Sequence, residues 1–238
     1  MRLIILLLTV LLFQFSHAQD QVVYFSDAIK SNIKKYNSQS DKAFQDGDIT
    51  AGQALFDSLV QNKLVGSKFD DYSFKSVNSR KVKLSKLKKP VFIITYSSWC
   101  VIGKGEIQAL NKLVRKYDKQ VQFIAVFWDT KNDTRKIARK FNNKIKVCYA
   151  NESYKNDARI VATLKHTLGF PTSYFLNSNL EVVDIKRGGL QLPPRTSGKI
   201  AFDRNYRLFN ERLAIFLEKQ DTPQNHSQLR QRNKTSQR

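Results

Sequence analysis

Apolar residues recur along this chain in two different spacings, and the two alternate from about residue 68 onward. The runs 91–96 and 121–128 are apolar on both faces, which is typical of strands buried in the centre of a sheet. Ile107, Leu110 and Val114 recur at intervals of three and four, which predicts a helix. Strands that alternate with helices predict an α/β fold with right-handed crossovers and a largely parallel centre.

The remaining elements follow from the same patterns. Helical spacing over residues 21–64 predicts an N-terminal helical extension, with Gly47 and Gly52 flanking a break between two helices. Further elements are predicted as a strand or hairpin at 69–84, helices at 135–141, 157–168 and 201–218, a strand at 145–149, and a hairpin of strands 172–176 and 181–185. The predicted hairpin is antiparallel and lies at one edge of the sheet.

The two ends of the chain differ from the middle. Met1-Arg2, an apolar run over residues 3–15 and Ser16-His17-Ala18 have the pattern of a signal peptide cleaved after Ala18. The alternative is a membrane anchor, but a run of about 13 residues is short of the roughly 20 needed to span a bilayer. We therefore expect an exported protein, periplasmic or secreted, without stable membrane insertion after cleavage. The predicted units are a signal peptide (1–18), a helical extension (19–66), the α/β domain (67–219) and a disordered basic tail (220–238).

Charge and cysteine content narrow the possible functions. The chain has 41 Lys and Arg against 20 Asp and Glu, a net charge of +21, which we interpret as a solvated basic surface, with anionic partners as the alternative. No nucleic-acid recognition motif accompanies this charge, so nucleic acid is not a predicted partner. Two cysteines are too few for a disulfide scaffold or a cysteine zinc site, and the histidines show no metal spacing. We predict neither a metal nor a cofactor.

Two segments carry candidate chemistry. Ser97-Ser98-Trp99-Cys100 follows the buried strand 91–96 where a helix is predicted to start, so the helix dipole and Lys104 would favour the thiolate of Cys100. Gly169-Phe170-Pro171-Thr172 precedes a strand, which makes Phe170–Pro171 a candidate cis peptide, with an ordinary trans turn as the alternative. A cis proline exposes the backbone before it, and that edge would hold an extended substrate beside a nucleophile.

Together these segments resemble the thioredoxin superfamily, and within it the exported TlpA-like thiol–disulfide oxidoreductases. Trp99-Cys100 followed by Glu106 matches the motif W-C-x-x-C-x-x-E, and residues 169–176 match the cis-proline segment. The resemblance implies a thioredoxin-like fold with a helix–strand insertion at 135–149, an N-terminal helical extension and a C-terminal helix. It implies Cys100 as the attacking cysteine, Glu106 as an acid that tunes proton transfer, and a substrate-binding surface. The predicted substrate-binding residues are Trp99, Phe170, Pro171 and Thr172.

The motif departs from the family at Gly103, which occupies the position of the resolving cysteine. A mixed disulfide at Cys100 would then need an external thiol to resolve it. Cys148, on the strand 145–149, is expected to be a buried core residue, with a resolving role as the alternative. The predicted function is thiol–disulfide exchange through one cysteine, with client proteins or small-molecule thiols and disulfides as partners. Whether enzymatic turnover survives is left open.

Two alternatives to this function follow from the same residues. A non-catalytic peptide- or protein-binding module would use the groove beside Pro171 without chemistry. A one-cysteine peroxidase would use the hydroxyl of Ser97, three residues before Cys100, although Ile93 stands where that family has a proline.

Overall fold

A seven-stranded mixed sheet forms the centre of the protein. The structure, a computed structural model, describes residues 22–78, 81–99, 102–190 and 192–221. The strands are β1 (Ser73–Ser76), β2 (Val82–Lys83), β3 (Val91–Tyr96), β4 (Gln122–Phe127), β5 (Lys146–Tyr149), β6 (Thr172–Leu176) and β7 (Val182–Arg187). Their order in the sheet is β2-β1-β5-β4-β3-β6-β7.

The strand directions confirm the predicted arrangement. β3 and β5 both run parallel to β4, so the centre of the sheet is parallel. β6 pairs antiparallel with β3 and with β7, which forms the predicted hairpin at one edge. β1 and β2 form a second antiparallel pair at the opposite edge. The carboxyl ends of β3 and β4 therefore lie side by side, and the candidate site is built there.

Helices cover both faces of the sheet. They are α1 (Phe25–Gln45), α2 (Ile49–Leu59), α3 (Glu106–Tyr117), α4 (Lys131–Ala138), α5 (Ala158–Ile160) and α6 (Gly198–Asp221). Two helices end in π-helical turns, α2 through Val60–Leu64 and α5 through Val161–Lys165. The helix α4 and the strand β5 are the helix–strand pair expected between β4 and the hairpin.

The two faces of β3 explain its apolar sequence. Val91 and Ile93 pack in the core that also contains side chains of α1, α2 and α5. Phe92, Ile94 and Tyr96 pack in the core on the opposite face, which α3 and α6 cover. All six residues of β3 are buried, as a central strand with two covered faces requires.

The N-terminal helices pack against the sheet rather than standing apart. The backbone N–H of Phe25 donates to the carbonyl of Lys68 at 2.8 Å. The backbone and hydroxyl of Ser26 donate to the Asp70 carboxylate at 2.9 and 2.8 Å, and Asp70 is 3% exposed. The predicted helical extension is therefore confirmed as part of the fold.

Several predicted boundaries differ from the structure. The break between α1 and α2 lies at Gly47, which has φ +68°, whereas Gly52 lies inside α2. The helix α4 begins at Lys131 because Thr130 caps it, its hydroxyl accepting from the N–H of Asp133. The predicted signal peptide and basic tail fall largely outside the described residues, so the predicted unit boundaries stay predictions. Within residues that the structure describes, no helix has both the length and the apolar character to cross a membrane.

Candidate active site

Asp129 anchors the segment that leads to Cys100. It follows β4 and is 8% exposed. Its carboxylate accepts from the backbone N–H of Ser98 at 2.6 Å, from the Ser98 hydroxyl at 2.7 Å and from the Ser97 hydroxyl at 3.3 Å. The ends of β3 and β4 are adjacent because the two strands are parallel. Sequence reasoning missed Asp129 as a site residue, although a carboxylate directly after a buried strand was a usable signal.

Trp99 brings the two predicted chemical segments together. Its side chain is 71% exposed, and its ring lies 5.3 Å from the ring of Phe170 in a T-shaped arrangement. The Phe170–Pro171 peptide is cis. Trp99, Phe170 and Pro171 therefore form one partly exposed apolar surface, and the binding of a substrate to it stays a prediction.

Thr172 is the fourth predicted substrate-binding residue, and it is 1% exposed. Its hydroxyl donates to the carbonyl of Gly169 at 2.9 Å, and its backbone N–H donates to the Thr95 hydroxyl at 3.1 Å. Through these hydrogen bonds Thr172 holds the turn around Pro171. A direct contact between its side chain and a substrate stays a prediction.

Glu106 is a buried acid below the loop that contains Gly103. It is 2% exposed, and it accepts from the Tyr96 hydroxyl at 2.5 Å and from the N–H of Gly103 at 3.1 Å. Burial raises the pKa of the Glu106 carboxyl, although the bonds from Tyr96 and Gly103 and the charge of Arg212 oppose that rise. The same burial, with the nearby carboxyl, raises the pKa of Tyr96 well above its ordinary value. Desolvation therefore favours the protonated form of the Glu106 carboxyl relative to an exposed glutamate.

Two glycines allow the Glu106 carboxyl its place. A Cβ atom on Gly103 would lie 2.8 Å from Glu106 Oε2. A Cβ atom on Gly189 would lie 3.4 Å from the same oxygen and 4.0 Å from Pro171 Cγ. Gly103 and Gly189 thus lie against the carboxyl, and the position of the family's second cysteine is tightly packed against Glu106.

The helix that was expected to start at Cys100 starts later. α3 begins at Glu106, and Gly105 before it has φ +78°. A Cβ on Gly105 would lie 2.5 Å from the backbone N of Phe202 in α6, so only glycine fits there. Cys100 itself lies outside the described residues. The dipole of α3 acts from Glu106 onward, and the stabilisation that it would give the Cys100 thiolate stays a prediction.

Cys148 is a buried, free thiol on β5. It is 0% exposed and faces Val126 of β4 and Ser76 of β1 across the sheet. Burial raises the pKa of the Cys148 thiol to about 12. This confirms the core position expected of it, and a thiol so placed is a poor nucleophile at neutral pH.

The sheet order, the helices on both faces and the cis proline beside the end of the central strand define a thioredoxin-like fold, as the resemblance implied. Residues 65–185, about half of the 238 residues, match the model of the AhpC/TSA family. The chain therefore belongs to the AhpC/TSA family.

Solved structures with a similar fold come from several bacteria. A protein described as thiol:disulfide interchange protein DsbE from Chlorobium tepidum is 23% identical, with 64% of this chain and 97% of that chain covered and a TM-score of 0.47. The thioredoxin domain of a thiol-disulfide oxidoreductase from Bacteroides vulgatus is 17% identical, with 62% and 96% covered and a TM-score of 0.47. A thio-disulfide isomerase from Thermus thermophilus is 18% identical, with 63% and 96% covered and a TM-score of 0.45. No curated protein matches the chain.

Proposed function

We propose that this chain is an exported protein that carries out thiol–disulfide exchange through the single cysteine Cys100. The observation that carries the proposal is the construction of the segment around that cysteine. Asp129 fixes Ser98 on one side, and Glu106 accepts from the N–H of Gly103 on the other side. Trp99, which directly precedes Cys100, lies against Phe170 in the cis-proline segment.

The reaction has two steps. The Cys100 thiolate attacks one sulfur of a client disulfide, a new disulfide forms between Cys100 and the client, and the other client sulfur leaves as a thiolate. In the second step external thiols resolve the mixed disulfide, because Gly103 supplies no second thiol. One thiolate attacks the Cys100 sulfur and the client leaves as a thiolate. Another attacks the sulfur of the first and frees the Cys100 thiolate, so that the two external thiols end as one disulfide. We propose that Glu106 exchanges the proton with the sulfur atoms, which suits a carboxyl whose pKa burial raises.

The test compares two cysteine variants in the reduction of a protein disulfide by an external thiol. We expect Cys100→Ser to lose the protein-dependent part of the rate completely. Cys148→Ala is the matched control, because it removes the other thiol from a position that is 0% exposed. It is expected to keep that rate. Equal activity of Cys100→Ser and the unsubstituted protein would overturn the proposal.

A second measurement examines the thiol directly. Alkylation of Cys100 against pH, with a peptide-level readout, gives the midpoint of its ionisation. A midpoint well below the free-cysteine value of about 8.5 supports a reactive thiolate. Cys148 provides the internal comparison, since its buried thiol should be labelled only after unfolding.

The exposed aromatic pair also favours a second candidate, a binding module that holds an extended peptide without chemistry. Trp99 is 71% exposed beside Phe170, and contacts between these rings and a peptide would not require a thiol. Capture of a client by a Cys100→Ala variant as strongly as by the unsubstituted protein would favour this second function. Capture that requires Cys100 and is reversed by a reductant would exclude it.

The geometry gives less support to a one-cysteine peroxidase. That chemistry requires a hydroxyl directed at the cysteine and the bound peroxide. Ser97 is 0% exposed, and its hydroxyl donates to the Asp129 carboxylate at 3.3 Å. The Ser97 hydroxyl therefore helps to hold the loop that follows β3. Thiol exchange is the function that the described residues support better.

A further inference from the structure

A groove opens beside the position of the missing resolving cysteine. Its volume is about 400 Å³, within the range of small-molecule sites. Gly103, Ile102 and Ile107 line it, together with Ile137 of α4. Ile102 and Ile137 are only partly buried against the core, so they give the groove an apolar lining that solvent reaches.

Two lysines give this groove its charge. Lys104 and Lys140 both line it, and both are exposed. Lys104 is held in place because its ammonium group donates to the carbonyl of Thr196 at 2.9 Å. None of the described residues that line the groove is acidic. The carboxyl of Glu106 lies nearby in sequence but is buried and bonded to Tyr96 and Gly103. The groove therefore combines an apolar lining with uncompensated positive charge.

We propose that this groove binds the resolving thiol, and that this thiol is a small molecule carrying a carboxylate. The inference rests on the proposed function. A small thiol of this kind fits the volume, its carbon chain contacts Ile102 and Ile137, and its carboxylate lies near Lys140 and Lys104. Gly103 lines the groove and follows Cys100 by three residues, so a thiol bound there lies beside the loop that contains Cys100.

The chemistry balances with two molecules of this thiol. The first, as its thiolate, attacks the Cys100 sulfur of the mixed disulfide, so that the bond to the client breaks and the client leaves as a thiolate that takes up a proton. The second attacks the sulfur of the first, and the Cys100 thiolate is released. The client disulfide gains two electrons and becomes two thiols, while two small thiols lose two electrons and become one disulfide.

The test measures how fast three small thiols release the Cys100 mixed disulfide. The mixed disulfide is first formed with 2-mercaptoethanol on the full chain. Rate constants are then measured with 3-mercaptopropionate, 2-mercaptoethanol and cysteamine, which are anionic, neutral and cationic. Expressing each rate per thiolate, with correction for thiol basicity, leaves the effect of the second group. We expect 3-mercaptopropionate to react about two- to fivefold faster than 2-mercaptoethanol, the range of one exposed ion pair, and cysteamine to react more slowly.

Two single-charge variants separate the groove from the general basic surface. Lys140→Gln should reduce the preference for the anionic thiol by about twofold or more, and the remainder is the part that Lys104 supplies. Arg139→Gln is the matched control, because it removes the same charge one residue away at an exposed position that does not line the groove. It should keep the preference. Equal rates for the three thiols, or an equal loss of preference in both variants, would overturn the inference while leaving the proposed function intact. If no mixed disulfide forms at Cys100, the proposed function fails and the inference fails with it.

Discussion

The close packing of Gly103 against Glu106 leads to a quantitative prediction for Gly103→Ala. The new Cβ would lie 2.8 Å from Glu106 Oε2. To restore ordinary contact the carboxyl must retreat by about 0.6 Å, which stretches its 3.1 Å bond from the Gly103 N–H beyond hydrogen-bonding range. Losing a hydrogen bond to a buried carboxyl costs about 1–3 kcal/mol. Reduced flexibility of the unfolded chain returns about 0.4–1 kcal/mol. The middle of each range gives an expected net loss of about 1.3 kcal/mol in the free energy of unfolding, within limits of about 0–2.6 kcal/mol.

A double-mutant cycle in urea measures this interaction. The variants are Gly103→Ala, Glu106→Ala and the two combined. Without the Glu106 carboxyl the added methyl group has room, so Gly103→Ala should then stabilise the protein by about 0.4–1 kcal/mol. Gly52→Ala is the control, because Gly52 lies inside α2 with no atom within 4 Å of the added Cβ. It should raise stability by about 0.5–1 kcal/mol.

The cycle has a clear negative result. If Gly103→Ala costs the same with and without the Glu106 carboxyl, the proposed conflict does not exist and the reasoning is wrong. If the coupling is found, Gly103→Cys meets the same obstacle, because cysteine carries the same Cβ. Reintroducing the second cysteine would then displace Glu106, and the dithiol would form at the expense of the buried acid.

Three further predictions concern the same region. Burial raises the pKa of Glu106, so the folded protein keeps a proton that the unfolded chain has lost, and stability falls as pH rises above the ordinary value of 4.5. Glu106→Gln should remove this pH-dependent contribution. A difference in unfolding free energy between the two proteins that stays constant from pH 4 to pH 8, measured in urea, would contradict this. Asp129→Ala leaves the N–H and hydroxyl of Ser98 without their acceptor, so we expect the free energy of unfolding in urea to fall by about 2–4 kcal/mol and the alkylation rate of Cys100 to change. Asp129→Asn keeps one acceptor oxygen, so both effects should be smaller. Gly105 has a positive φ, and Gly105→Ala would place a Cβ against the backbone of Phe202. We expect it to destabilise the protein by about 3 kcal/mol or more, which exceeds the loss for Gly103→Ala. A smaller loss in urea unfolding would show that α6 can shift to make room for the methyl group.

The features that were predictable from sequence depend on local pattern. The apolar run in β3 predicted a strand covered on both faces, and all six of its residues are buried. Glycine, aromatic residue and proline ahead of a strand marked the turn that contains Phe170–Pro171. Cys148, small and apolar within a buried strand, was placed correctly in the core. Each of these outcomes follows from neighbours within a few positions along the chain.

The features that were missed depend on residues far apart in the sequence. The start of α3 was placed at Cys100 because helical spacing after Ile107 does not show where the helix begins. The boundary is set by Gly105, whose backbone touches Phe202 near the end of the chain. Asp129 and Ser98 meet only because β3 and β4 are parallel neighbours. The last turn of α5 is π-helical, and one additional residue in a turn leaves little trace in the apolar spacing.

The burial of Cys148 limits how many covalent links the protein makes at once. A dithiol protein carries two cysteine sulfur atoms at its site. It can form an internal disulfide, or it can form a mixed disulfide with a partner and then release that partner. Here one of the two sulfur atoms is enclosed between β4 and β1 with 0% exposure, so at most one can meet another molecule. The folded chain therefore has at most one cysteine that can form a disulfide with another molecule. Any disulfide-linked complex that it forms is a pair, either with one partner or with a second copy of itself, and oxidation of the folded protein cannot join it into longer chains.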